Sequence, residues 1–425
     1  MALYTSGLRP EETATPKPRP APIRALGLVV AALLAACTPG ADPAPPSPTS
    51  AISTPTSAVT TAIPTSSEPV SLTVAFVEAL EDDEPVDRVT AAFQAARLAF
   101  SNAELVTGLP VDVEVVAYDT EGDPAQTAEV AAEIASTPEV VAAIAAPGLT
   151  EQQTLGDALS GEGIPWLSLS GEGARLGERG WTAWRRLVAD QATQGETLGR
   201  VVDELGPSTR GVCVMGDASP LSDALLRAAV RSLGDPLALR SAVTEAQPDV
   251  ASAAEAVASA GCGVVLWGGG GSAGAALRRQ LVEVGMGEVA FAGGDAIRDR
   301  TFLEAVGPAG EGTLAVCPCV DVSTSIDLAA QRFIQDYQSE FGLPPGPYAV
   351  EAWDAARILV SAFRDGAESR EDVAVALGAM TTFDGLGRTY RFGPDGDLEE
   401  GRRSVRLSRV EGGRWLELPS TSPHA

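Results

Sequence analysis

From residue 71 onward, short apolar runs alternate with stretches in which apolar residues recur at helical spacing. The first series of apolar runs covers 71–77, 111–119, 140–146 and 165–170, and the helical stretches between them cover 88–102, 125–136 and 151–160. Strand-length runs separated by amphipathic helices are typical of β-α-β units around a parallel sheet. The pattern therefore predicts an α/β lobe in this part of the chain.

A second series of the same kind begins near residue 211. Its predicted strands are 211–217, 237–243, 263–269, 288–295 and 313–318, and its predicted helices are 222–233, 249–260, 273–284 and 301–305. Two comparable series predict two similar Rossmann-like lobes with parallel central sheets rather than one large sheet.

The last part of the chain changes this picture, because three predicted helices follow one another without strands between them. They cover 328–341, 348–364 and 370–380, and two strands at 388–392 and 404–410 come after them. Such helices would cover lobe one, so the chain would cross between the lobes more than once and form a multi-strand hinge. We expect lobe one at 71–190 and 322–382, lobe two at 191–321 and 383–417, and a tail at 418–425.

The N-terminal segment has the pattern of an export signal. Arg19 and Arg24 precede an uncharged apolar stretch at 25–36, which has signal-peptide length and is too short to span a membrane. It ends in Leu-Ala-Ala-Cys, which resembles a bacterial lipobox with Cys37 as the lipid-modified residue. The alternative is an ordinary cleaved signal peptide. We expect a signal peptide at 1–36 and a Pro/Ser/Thr-rich disordered tether at 37–70.

Composition removes most enzyme classes. The chain of 425 residues is 45% apolar, which suffices for two core-bearing domains, and its formal charge of -27 makes nucleic acid an unfavourable partner. Its single lysine is Lys17 and its single histidine is His424, so Walker-type phosphate loops, Schiff bases and histidine-based catalysis have no residues to use. The glycine-rich run at 268–274 is a weak phosphate-loop signal for the same reason.

Several short motifs occur in a fixed order along the body of the chain. They are Asp119 with Asp123-Pro124-Ala125, the strand 140–146, GIPWLSLS at 163–170, Arg186 with Asp190, Gln194 and Gly195, Pro344 with Tyr348 and Trp353-Asp354-Ala355, and the segment 383–397. Together they resemble the leucine/isoleucine/valine-binding family of type I periplasmic binding proteins, the receptors of ABC importers. The resemblance implies a Venus-flytrap body that closes on a small ligand.

Carried onto this sequence, the resemblance suggests where that ligand would bind. In lobe one, Gly148, Thr150, Ser168 and Ser170 would hold a ligand carboxylate, although the serines could instead cap a turn. In lobe two, Asp295 stands where the family's ammonium-binding acid stands, and a helix N-cap is the alternative role.

Two further lobe-two residues are candidate ligand contacts. Asp217 would face the cleft or cap a helix, and Trp267 would form an apolar wall or pack inside. Family members often place aromatic side chains at 217–222 and 268–271, and this chain does not. This departure implies a different ligand shape or a pocket that no longer binds. No metal or cofactor is expected.

Four cysteines remain after Cys37. Export places them where disulfides persist. Cys213 and Cys262 lie on or next to strands that would be neighbours in a 2-1-3-4-5 sheet, so we expect them to pair. Cys317 and Cys319 would then remain as a close pair, with a metal site as the minor alternative.

The resemblance, the export signal and the charge together predict a function. We expect a monomeric, extracytoplasmic, lipid-anchored solute-binding protein without enzymatic activity, which delivers a small polar ligand, an amino acid of the branched-chain type or similar, to ABC permease subunits. The alternative is a ligand-sensing or adaptor lipoprotein on the same scaffold. A third possibility, an exported hydrolase that uses carboxylates, has no support in the residue spacing.

Overall fold

The computed structural model describes residues 70–79, 87–146, 148, 150–173, 175–205, 211–233, 237–242, 249–399 and 401–419. The predicted signal peptide, the lipobox Cys37 and nearly all of the predicted tether lie outside these residues, as do Lys17 and His424. Val70 already begins the first strand.

Strands and helices alternate through most of the described chain. The helices are α1 (Asp87–Thr107), α2 (Pro124–Ser136), α3 (Gln152–Gly161), α4 (Gln191–Glu204), α5 (Pro220–Ser232), α6 (Val250–Ala260), α7 (Gly271–Glu283), α8 (Arg300–Val306), α9 (Leu328–Phe341), α10 (Ala349–Arg364) and α11 (Arg370–Ala379). The strands are β1 (Val70–Glu78), β2 (Val111–Asp119), β3 (Val140–Ala145), β4 (Trp166–Ser168), β5 (Trp184–Arg186), β6 (Val212–Gly216), β7 (Leu237–Ala242), β8 (Val264–Trp267), β9 (Ala290–Gly293), β10 (Leu314–Cys317), β11 (Thr382–Asp384), β12 (Thr389–Arg391), β13 (Arg406–Glu411) and β14 (Arg414–Glu417).

Lobe one is built on a parallel sheet with the strand order β2-β1-β3-β4-β5. Helices cover both faces of such a sheet, which is why β3 reads as an unbroken apolar run whose residues are all buried. On one face, α1 and α10 pack against each other and on the sheet. On the other face, the core contains the mutually packed rings of Trp166, Trp181 and Trp184.

Lobe two has the strand order β14-β13-β10-β9-β8-β6-β7, in which β6 to β10 are parallel and β13 and β14 are antiparallel additions at one edge. The parallel part has the predicted 2-1-3-4-5 order. Cys213 lies opposite Val265 in the β6–β8 pairing, and the structure joins it to Cys262 as predicted. Cys317 and Cys319 form a second disulfide.

The three late helices return to lobe one, as the sequence predicts. Both α9 and α10 contact α1, and α11 packs on β3 and β5. The chain crosses between the lobes after β5, after β10 and after β12. These three crossovers form the multi-strand hinge.

The position of the β11–β12 hairpin corrects one predicted boundary. We expected lobe two to resume at residue 383, but Leu386, Tyr390 and Phe392 pack in the lobe-one core. The buried carboxylate of Asp354 in α10 explains this position, since it accepts the Leu386 N–H at 2.9 Å and the Tyr390 hydroxyl at 3.0 Å. Burial raises the pKa of Asp354 to about 6, although these hydrogen bonds oppose the shift.

Two buried charged side chains, Arg186 and Glu351, form hydrogen bonds that hold the crossovers in place. The Arg186 Nε lies 2.6 Å from the Asp397 carboxylate, which joins the first crossover to the third. Glu351 in α10 accepts the backbone N–H of Val320 in the second crossover at 2.7 Å. Glu351 is fully buried, and this burial raises its pKa to about 7.

Three arginines bind backbone carbonyl groups rather than carboxylates. Arg370 donates to the carbonyls of Ile134, Ala135, Thr137 and Val140, which terminate α2 and begin β3. Arg185 and Arg278 each donate to three carbonyls in the same way. Each of these guanidinium groups therefore supplies several hydrogen bonds to carbonyls in and between helices and strands.

Replacing Arg370 by Met should lower the free energy of unfolding by at least about 2 kcal/mol, because hydrogen bonds from a charged donor to four carbonyls are lost. Urea unfolding followed by circular dichroism measures the change. Arg332→Met, on the exposed face of α9, is the matched control and should change stability by less than about 0.5 kcal/mol. Equal effects of the two substitutions would contradict the role of Arg370 as a clamp.

Glu351→Gln should flatten the pH dependence of stability. The folded-state pKa of Glu351 lies above its unfolded value of about 4.5, so the folded state binds the proton more tightly, and stability present at low pH is lost as the pH rises through about 7. The loss amounts to at most about 3 kcal/mol. Gln keeps an acceptor for the Val320 N–H but does not titrate.

Urea unfolding of the full chain at a series of pH values from 4.5 to 7.5 measures this effect. The exposed Glu371→Gln variant, at the start of α11, should retain the pH slope of the unsubstituted protein. A parallel slope for Glu351→Gln would show that Glu351 is ionised normally in the folded protein.

Candidate functional site

The carboxyl ends of the parallel strands in each lobe carry the predicted ligand residues. In lobe one these ends lead into the loops after β3 and β4, and in lobe two into the loops after β6, β8 and β9. Crevices outside the carboxyl ends of parallel strands are where open α/β sheets bind ligands. The side chains that meet there define the candidate site.

The hydroxyl groups of the two predicted lobe-one serines are hydrogen-bonded to other groups of lobe one. Both side chains are fully buried. The Ser168 hydroxyl donates to Gln152 Oε1 at 2.7 Å, and the Ser170 hydroxyl accepts the Glu172 N–H at 3.1 Å. The turn-capping alternative therefore describes their hydroxyl groups, and a direct contact with ligand stays a prediction.

Gly148 and Thr150 lie in the neighbouring loop after β3. A Cβ atom at Gly148 would be 3.4 Å from the Val89 side chain, which places this loop against the first turn of α1. Thr150 is exposed, and its hydroxyl donates to the Glu151 carboxylate. The backbone at Gly148 therefore lies beside the first turn of α1.

Asp217 holds two lobe-two loops together. Its carboxylate accepts the Ser219 N–H at 2.9 Å and the Gly270 N–H at 3.0 Å, and so links the loop after β6 to the loop after β8. The cap of α5 is the hydroxyl of Ser219 rather than Asp217. A glycine is required at 269, because a Cβ there would lie 2.8 Å from the Asp217 carboxylate.

Trp267 is fully buried in the lobe-two core. Its indole Nε1 donates to the Gly270 carbonyl at 3.0 Å, so its polar atom is also satisfied inside the lobe. Of the two predicted roles, packing inside the lobe is the one that the structure shows for this side chain. Its role as an apolar wall of the ligand pocket stays a prediction. A ligand could touch the indole ring only if the residues that bury it moved away.

Asp295 is the residue on which the two lobes converge. It follows β9 directly and opens a short 3-10 helix at Asp295–Ile297. Its Oδ2 accepts Arg88 Nη1 at 2.9 Å and the Tyr348 hydroxyl at 2.6 Å. Its Oδ1 accepts Gln194 Nε2 at 2.7 Å. The carboxylate therefore has three protein donors.

These donors come from both lobes. Arg88 lies in the first turn of α1 and Tyr348 directly before α10, both in lobe one, whereas Gln194 lies in α4 of lobe two. Tyr348 adopts a left-handed φ of 66°, which is uncommon for a bulky residue and points to a constrained position. Gln194 also donates to the Val316 carbonyl at 2.9 Å, so it fixes Asp295 to β10.

The charges at this contact favour the cationic form of Arg88 and the neutral form of Tyr348. Burial acts to lower the pKa of the Arg88 guanidinium, but Asp295, with Tyr348, Asp299 and Glu172, raises it above its ordinary value. Burial and the Asp295 charge raise the pKa of Tyr348 well above its ordinary value. Arg88 therefore stays cationic and Tyr348 stays a hydroxyl donor at neutral pH.

Sequence reasoning located Asp295 but not its main partner. Tyr348 and Gln194 belong to the motifs that carry the resemblance, although no contact with Asp295 was assigned to them. Arg88 carried no signal, because a single arginine in an amphipathic helix is typical of a solvated face. Its distance of 207 positions along the chain from Asp295 leaves no local pattern that would pair them.

A separate cavity of about 710 Å³ is lined in part by the second crossover. Its walls come from α8, the second crossover, the segment before α10 and the β13–β14 turn, and include Val320, Val322, Val350 and Trp415. None of the predicted ligand residues lines it. Among the described residues, no group of three or more His, Cys, Asp or Glu side chains could hold a metal ion.

Comparison with solved structures identifies several similar folds. LivJ of Streptococcus pneumoniae in complex with isoleucine has a TM-score of 0.72 at 16% identity, over 83% of this chain and 100% of that chain. The leucine-binding LivK of Thermotoga maritima has a TM-score of 0.70 at 19% identity, over 83% and 99%. A solute-binding protein of R. palustris in complex with benzoate has a TM-score of 0.66 at 16% identity, over 82% and 95%.

The predicted two-lobe α/β fold is confirmed by these likenesses. A comparison with curated protein sequences finds no match. The family model described as "Periplasmic binding protein" matches residues 87–414, which span both lobes and every crossover. The chain therefore belongs to the periplasmic binding protein family.

Proposed function

We propose that this protein is the extracytoplasmic solute-binding component of an ABC importer, and that it captures a small polar molecule between its lobes. The observation that carries the proposal is the meeting of α1, α10 and the loop after β9 at Asp295. Polar side chains of both lobes converge there at the strand ends, within a fold whose family consists of binding proteins. A ligand in this crevice would contact both lobes and stabilise their closed arrangement.

The ligand class follows from what similar proteins hold. The structures described above contain isoleucine and benzoate, and an ABC transporter substrate-binding protein of Desulfitobacterium hafniense holds leucine at 18% identity. These three molecules share a carboxylate and an apolar body. We therefore propose a small carboxylate-bearing solute, a class that includes the amino acid predicted from the sequence.

No catalytic step belongs to this proposal. Periplasmic binding proteins bind and release solutes without converting them, so the acidic residues of the crevice act in recognition and positioning. Asp217, which links two loops, and Asp295, which links two lobes through Arg88 and Tyr348, both have such roles in the described part of the chain.

The route to the membrane is a lipid anchor on Cys37. The lipobox-like sequence ends at this cysteine, and a segment rich in Pro, Ser and Thr separates it from β1. Two acyl chains anchor a protein stably, because each buried CH2 contributes about 0.8 kcal/mol. None of the helices in the described ranges is both long and apolar enough to cross a bilayer.

Solute binding should appear as thermal stabilisation of the full chain. A solute at 100 times its Kd stabilises the folded state by about 2.7 kcal/mol, which raises Tm by several degrees. Differential scanning fluorimetry against amino acids, organic acids, amides, sugars and polyamines is the measurement. Stabilisation by no member of such a panel would count against a solute-binding function.

Lipid anchoring should depend on Cys37. In a bacterial host that labels lipoproteins, the full chain should incorporate labelled palmitate and partition into the membrane fraction. The Cys37→Ser variant should lose the label, whereas the neighbouring Thr38→Ser variant should retain it. Equal labelling of both variants would rule out Cys37 as the anchor.

A further inference from the structure

The cation that pairs with Asp295 belongs to the protein itself. A ligand ammonium was predicted to occupy this place, but Arg88 Nη1 lies 2.9 Å from Asp295 Oδ2. Tyr348 and Gln194 supply two further hydrogen bonds to the same carboxylate. A carboxylate has about four acceptor positions, so most of its capacity is used without any ligand.

A ligand ammonium beside Asp295 would also meet a like charge. The Arg88 guanidinium is cationic at every physiological pH, and its charge cancels that of Asp295. An ammonium would have to displace Arg88 from the carboxylate or share it with Arg88 at close range. Displacement would leave a largely buried guanidinium, which is 23% exposed, without its closest partner.

The rest of the Arg88 guanidinium is available to a ligand. Only Nη1 of its three nitrogens has a hydrogen-bond partner among the residues that the structure describes. Within the described part of the chain, Nε and Nη2 of the planar group therefore have no acceptor and can donate to a ligand. A guanidinium fork of this kind matches the two oxygens of a carboxylate.

The lobe-one serines do not compete for this role. The hydroxyls of Ser168 and Ser170 are buried, the first bonded to Gln152 at the start of α3 and the second to the Glu172 N–H of its own loop. Val89 follows Arg88 in the first turn of α1, and its side chain lies 3.4 Å from the position that a Cβ atom of Gly148 would take, so this turn of α1 is beside the loop that was predicted to hold the ligand carboxylate. A carboxylate anchor can therefore be placed on α1.

We propose that Arg88 anchors the ligand carboxylate, and that the cleft takes small monocarboxylates that lack an ammonium group. Asp295 is then a positioning residue that holds the guanidinium in place, with Tyr348 and Gln194 behind it. The acidic Asp299 and Glu172 also lie within electrostatic range of Arg88 and disfavour dianions. The inference rests on the proposed solute-binding function and narrows its ligand class.

Matched pairs of solutes test how the ammonium group alone affects binding affinity. Leucine and 4-methylpentanoate, isoleucine and 3-methylpentanoate, and phenylalanine and 3-phenylpropanoate differ within each pair only in that group, and benzoate and succinate extend the panel. Isothermal titration calorimetry with the full chain should find at least one monocarboxylate that binds at least tenfold more tightly than its amino counterpart. Succinate should bind more weakly than that monocarboxylate.

Substitution of Arg88 should reverse this preference. Arg88→Met should weaken binding of the monocarboxylate at least tenfold and strengthen binding of the paired amino acid, because Asp295 becomes free for an ammonium. Arg88→Lys keeps the charge but lacks the planar fork, so it should weaken the monocarboxylate without admitting the amino acid. Arg97→Met, on the exposed face of the same helix, is the matched control and should change neither affinity.

The outcomes separate this inference from the proposed function. Tighter or equal binding of an amino acid relative to its deaminated partner would overturn the inference and leave solute binding standing. Undiminished monocarboxylate binding by both Arg88 variants would also overturn it. The inference would also be overturned if the protein bound only uncharged or cationic solutes. If it bound no solute at all, the proposed solute-binding function itself would be refuted. Circular dichroism and Tm of each variant verify folding, and Arg88→Lys decides the matter if Arg88→Met does not fold.

Discussion

The arrangement of the lobes depends on the hydrogen bonds and the ion pair that the Asp295 carboxylate forms. It lies at the end of a lobe-two strand, yet two of its three donors, Arg88 and Tyr348, belong to lobe one. Charge-assisted hydrogen bonds of this kind are stronger than neutral ones, and partial burial protects them from screening by salt. The lobes therefore meet through a directional polar contact as well as through the three chain crossovers. Any solute that enters the crevice must replace, extend or accommodate this contact.

Several of the motif residues that carry the family resemblance form contacts at the crossovers between the lobes. Arg186 and Asp397 belong to motifs more than 200 positions apart and form one ion pair between crossovers. Asp354 belongs to a helix motif and holds the hairpin that carries another motif, through Leu386 and Tyr390. These residues fix how the chain passes between the lobes. They identify the fold reliably for that reason, and for the same reason they reveal little about the solute.

The alternation of apolar runs and amphipathic helices was enough to predict both sheets, because parallel strands covered on both faces must be apolar throughout. It failed where strands are short or polar. β5 contains two arginines whose charges are satisfied by carbonyls and by Asp397, and β14 lies at a sheet edge, so neither has the expected pattern. The β11–β12 hairpin looks like a continuation of lobe two until the buried Asp354 is seen to hold it. Asp295 could be placed by the family resemblance, whereas Arg88 required the tertiary structure.

The arginines that bind carbonyl groups have a consequence for a chain with a formal charge of -27. The partners of Arg185, Arg278 and Arg370 are neutral dipoles in partly or fully buried positions. Added electrolyte shields the mutual repulsion of the many surface carboxylates, but it has little effect on short bonds to carbonyl oxygens. Mild acid likewise leaves these bonds intact, since neither member loses or gains a proton. The architecture is thus suited to an exposed site outside the cytoplasm, where ionic strength and acidity are set by the surroundings rather than by the cell.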